Sequence, residues 1–167
     1  MTTKHPRVEN PEVEKEMKLA QFRIEIKAVL DGLEKKTPGK YELIVSNIHE
    51  IGEKKMNLWN HFKEVLRKME SPQLFDREEE IVKLNFAMLH DEITHLENEI
   101  ESQRINGNGS GGRKDSTMTE TPKSQFISFF TGYLTAIKSA IYEFENKHMS
   151  KEEYLEEVKL IKNDFGI

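Results

Sequence analysis

The chain has 167 residues, a net charge of −5, a third of its residues charged and no cysteine. That length is enough for one hydrophobic core, and the missing thiols exclude a disulfide framework, a thiolate metal site and a cysteine nucleophile. The acidic balance disfavours a protein built to grip a phosphate backbone, so nucleic acid is not an expected partner.

Residues 1–9 lack an apolar run and are expected to form a flexible N-terminal arm rather than a secretory signal. A single helical-bundle domain is expected over residues 10–167. Its first helix opens with Asn10 as N-cap, Pro11 at the first helical position, and Glu12 and Glu14 where the helix dipole favours acids. Leu19, Phe22, Ile26, Val29 and Leu33 then form one buried stripe, and Thr37-Pro38-Gly39 ends the helix.

The second segment carries the longest periodic signal. Tyr41, Ile44, Ile48, Ile51, Lys55, Leu58, Phe62, Val65 and Met69 alternate spacings of three and four. This predicts one continuous helix of roughly 40–45 Å, at about 1.5 Å per residue, with coiled-coil-like packing. Lys55 is the seam's charged member and lies near Gly52. Its ammonium is expected to snorkel to water past a local weak point, the alternative being a register-setting polar position or a hinge. Trp59, beside Leu58, is expected to pack in the core; it is also the candidate anchor for a partner, because Trp is enriched in binding hot spots.

Ser71-Pro72 separates a third helix. Its stripe is Phe75, Val82, Phe86, Leu89, Ile93, Leu96 and Ile100, widened by Ile81, Leu84 and Met88 as if for two neighbours. Residues 105–121, rich in Gly, Ser, Asn and Thr, read as a mobile loop. A fourth helix over 123–147 is the most aromatic, with Phe126, Phe130, Tyr133, Ile137, Ile141 and Phe144 in line. A final helix starts at the capping box Ser150-Lys-Glu-Glu153 and docks through Leu155, Val158, Ile161 and Phe165. Short connections predict antiparallel neighbours for the first three helices. The expected fold is therefore all-α: an elongated antiparallel helical bundle of four long helices plus a short C-terminal one.

One constellation carries possible chemistry, a repeated Glu-x-x-His at Glu92/His95 and Glu145/His148. Di-iron carboxylate bundles use two such pairs with further Glu residues. Counted from the joining loop, however, the pairs of antiparallel neighbours are offset axially by roughly 18 Å, too far for one cluster. His90 and His95 are five residues apart, which misses the zinc-protease spacing, and the glycines of 105–121 follow a helix rather than a strand. No catalytic or cofactor-binding residue is therefore expected. No apolar run approaches the roughly 20 residues that span a bilayer, and the absence of cysteine fits a cytoplasmic protein. The functional expectation is a non-enzymatic interaction module, an adaptor, regulator or inhibitor that binds a protein partner and can associate with itself. The alternative is a metal-binding bundle using the Glu-x-x-His pairs.

Overall fold

The structure, a computed structural model, describes residues 11–107 and 121–167. The predicted arm at 1–9, the Asn10 cap and residues 108–120 of the loop predicted over 105–121 lie outside these residues. Among the described residues there are six α-helices and no strand: α1 (Pro11–Lys36), α2 (Glu42–Ser46), α3 (Glu53–Met69), α4 (Glu79–Gly107), α5 (Pro122–Glu145) and α6 (Lys151–Phe165). The third predicted helix thus continues through Gly107, three residues into the segment read as loop, and Phe75 stands before it in a short 3-10 turn, Pro72–Phe75.

The predicted second helix is broken. It divides into α2, a 3-10 turn at Ile48–Glu50, an extended Ile51 and then α3, with Gly52 as N-cap. The periodicity is genuine, since Tyr41, Ile44, Ile51, Leu58, Phe62, Val65 and Met69 are all buried, but periodic burial does not by itself require continuous backbone hydrogen bonding. Arg23 of α1 supplies the missing partners: its Nε donates to the Ile51 carbonyl at 2.9 Å and its Nη2 to the His49 carbonyl at 3.0 Å. Carbonyls left over where a helix stops must find donors, and a guanidinium from another helix provides them.

The break also changes the topology. Lys15 meets Glu53 at 3.4 Å and Glu25 meets Lys63 at 2.9 Å, the same sequence offset in both cases, so α1 and α3 run parallel rather than antiparallel. Residues 37–52 carry the chain back along α1 to make this possible. At the upper end of that return, Gly39 adopts φ 87°, a conformation that glycine tolerates, while the Glu34 carboxylate accepts the Gly39 N–H and, at 2.7 Å, the Tyr41 N–H.

The later helices alternate. On α4 and α5, Arg104 bonds Thr131 at 3.2 Å, Glu97 bonds Lys138 at 2.5 Å and His90 bonds Glu145 at 2.7 Å. These rungs are seven residues apart on each helix and fix an antiparallel, coiled-coil-like register. α6 then turns back after a capping box in which Ser150 Oγ accepts from the Glu153 N–H and Glu153 accepts from the Ser150 N–H. Gly166, at φ 72°, ends it.

Two aromatic clusters locate the core, and α6 reaches both. Phe165 lies 4.9 Å from Phe62, 5.0 Å from Trp59 and 4.7 Å from Tyr133 between ring centroids, joining α3 to α5. Near the other end of α6, Tyr154 stacks on Phe144 at 4.8 Å and donates its hydroxyl to the Met69 carbonyl at 2.8 Å. Burial pushes the Tyr154 hydroxyl well above the ordinary tyrosine range, so it stays protonated and able to donate. Each such ring, taken out of water, contributes roughly 1.5–3 kcal/mol.

Candidate functional site

Helix α1 has apolar residues on two opposite sides. Phe22, Ile26, Val29, Leu30 and Leu33 enter the core. Val13, Met17, Ala20, Ile24 and Ala28, at spacings of four, three, four and four, form a second stripe half a turn away, and all five are exposed. Met17 keeps 66% of its surface and Ile24 keeps 67%. Isolated exposed apolar residues are ordinary on protein surfaces, whereas a row at helical spacing on one helix face makes a candidate contact surface. The sequence contains this stripe, but the stronger core stripe on the opposite side of the same helix dominates its periodicity.

The row is bordered by charges that are already oriented. Lys27 holds Asp31 at 3.0 Å near its C-terminal end. Beyond Ala28 the surface dips into a cleft of about 320 Å³ between α1 and the C-terminus, lined by Ala28, Gly32 and Leu33 on one side and Phe165 and Ile167 on the other. A smaller exposed apolar pair lies on α4, where Leu84 is 61% and Met88 56% exposed. These two were expected to widen the buried stripe; α4 instead packs on both α3 and α5 through Phe86, Leu89, Ile93, Leu96 and Ile100, leaving Leu84 and Met88 outside.

Trp59 does not face outward. It is wholly buried against Phe130 and Phe165, so it offers nothing to a partner, and its indole N–H has no hydrogen-bond acceptor among the described residues. Lys55 does not snorkel. It is 6% exposed, donates to Gln103 Oε1 at 2.8 Å, and is held below the ordinary lysine pKa by burial and then by the nearby charges of Lys123 and Lys54. Gln103 in turn donates to the Lys54 carbonyl at 3.1 Å. A neighbour able to accept a hydrogen bond keeps the ammonium inside, which the α3 sequence alone could not reveal.

The two Glu-x-x-His pairs are not brought together. Glu92 turns towards α3, accepting from Lys68 at 2.9 Å and lying 3.1 Å from His61 Nε2; the Lys68 hydrogen bond holds its carboxyl below the usual range. His61 also reaches Glu99, at 3.3 Å from its Nδ1. Glu145 pairs with His90 across the α4–α5 interface, on the other side of α4. His148 lies 3.4 Å from Glu143, and His95 is exposed. Glu92, Glu145 and His148 thus serve three separate contacts, and among the described residues no group of three or more His, Asp or Glu side chains is placed to hold a metal.

No helix among the described residues is long and apolar enough to cross a membrane. Comparison with protein-family models, with curated proteins and with solved structures finds no match for this chain.

Proposed function

We propose that the protein is a non-enzymatic interaction module whose binding face is the outer stripe of α1. The observation that carries this reading is the pairing of Met17 and Ile24, both two-thirds exposed, on a helix whose opposite face is fully committed to the core. Exposing such a row costs solvation without helping the fold, and covering it with the apolar face of a helix from a protein partner would recover that cost. Glu92, Glu145 and His148 are engaged with different neighbours at separate places, which favours binding over a metal-centred role.

A photoreactive side chain in place of Met17 tests the reading in the full chain. Cross-linked products should form there, should vanish when Ile24→Asp is added, and should not form from the same group at the exposed Asn98 of α4. Equal labelling from Met17 and Asn98 would refute it.

A further inference from the structure

We infer that the stripe is covered by a second copy of this chain, with α1 packed antiparallel on α1 about a two-fold axis near Ala20 and Gln21; this rests on the interaction face proposed above. The stripe is nearly symmetric about that point. Reversing one copy places Met17 against Ile24 of the second copy and Val13 against its Ala28, large side chains meeting at the flanks of the small Ala20, where two backbones can approach closely. A two-fold interface is self-complementary, so each such contact occurs twice.

Charge supports the same arrangement. Glu16 and Lys27 border the stripe on one flank, and an antiparallel two-fold pair sets each flank against its own copy. Glu16 therefore faces Lys27 of the second copy, and Lys27 faces Glu16 of the second copy. Lys27 now holds Asp31 within its own helix, an exposed pair of the weak kind that exchanges readily. Shape agrees with charge: Ala28 belongs both to the stripe and to the cleft beside Ile167, so the two-fold delivers Val13 of each copy to the cleft of the other. The contact uses few side chains per copy, whereas stable complexes bury roughly 1,200 Å² or more, so the association should depend on concentration.

Sedimentation equilibrium of the full chain, from about ten micromolar to about one millimolar, reads this out on the affinity scale of weak complexes. The mass should rise from 19.5 kDa towards twice that value. Ile24→Asp should hold it at the monomer, with unchanged circular dichroism because the site is exposed. Glu16→Lys and Lys27→Glu should each weaken dimerisation roughly tenfold, since each creates two like-charge contacts, and the double exchange should restore it to within about threefold. Because the chain lacks cysteine, Ala20→Cys should give a clean disulfide-linked dimer on oxidation. A 19.5 kDa species at every concentration, or a double exchange no better than the singles, overturns the inference. If the wild type stays monomeric while the Met17 photoprobe still labels a different polypeptide in an Ile24-dependent way, the interaction face stands and the second copy does not. If neither occurs, both fall.

Discussion

Replacing Gln103 with Leu strips the buried Lys55 ammonium of its acceptor. Two hydrogen bonds go with the side chain, the charged one from Lys55 at 2.8 Å and the neutral one to the Lys54 carbonyl at 3.1 Å. A hydrogen bond to a charged group is worth about 1.5–3 kcal/mol and a neutral one about 0.5–1.5 kcal/mol. Allowing for partial escape of a flexible lysine towards water, the expected loss is about 2–3 kcal/mol. Lys55→Met alone should cost less than about 1 kcal/mol, because removing a desolvated charge offsets the acceptor it orphans. The pair Lys55→Met and Gln103→Leu should return close to wild type, giving a coupling of roughly 2 kcal/mol. Urea unfolding followed by Trp59 fluorescence measures this directly, since the protein's one tryptophan is wholly buried. The pH dependence has a definite sign. Burial holds Lys55 below its ordinary 10.5, so between the folded and unfolded values the unfolded chain binds more protons and stability from this group rises with pH. The gain should be larger in Gln103→Leu and absent in Lys55→Met. A Gln103→Leu loss under about 0.5 kcal/mol, or purely additive changes, would refute the account of this site.

Three other outcomes follow from contacts of the same kind. Arg23→Met should cost about 2 kcal/mol and speed amide exchange at residues 47–52 more than elsewhere, because two carbonyls at the helix break lose their donor; uniform exchange would count against it. Ser150→Ala should remove about 1 kcal/mol by opening the α6 capping box, seen as a fall of roughly 2–4 °C in melting temperature. Glu92→Ala and Glu145→Ala should destabilise independently, their effects adding within about 0.5 kcal/mol, since the two carboxylates serve different interfaces; strong coupling, or loss of a stoichiometric metal in elemental analysis, would restore the case for a shared site.

The sequence was most legible where one face of a helix meets one need. The core stripes of α1, α4, α5 and α6, the Ser150 cap and the burial of the 41–69 seam all follow from spacing and capping chemistry. It was least legible where a distant side chain decides. Arg23 stabilises a break that periodicity treats as continuous helix, and with the break the expected antiparallel neighbour becomes a parallel one. Gln103 likewise decides the position of Lys55 from a helix almost fifty residues away. The outer stripe of α1 had a signal in its spacing, but two apolar faces on opposite sides of one helix cancel in any measure that seeks a single direction. Glu92 and Glu145 had the spacing of ligands while facing different helices, a distinction set by the bundle's packing.

The rungs between α4 and α5 specify alignment by themselves. Sliding α5 by one heptad sets Glu97 against Glu145 and Arg104 against Lys138; sliding it the other way sets Lys138 against His90 and leaves Glu97 beside the neutral Thr131. Mispaired neighbours would repel or go unmatched, so the correct mate is chosen by the rods themselves and the chain that joins them is released from that duty.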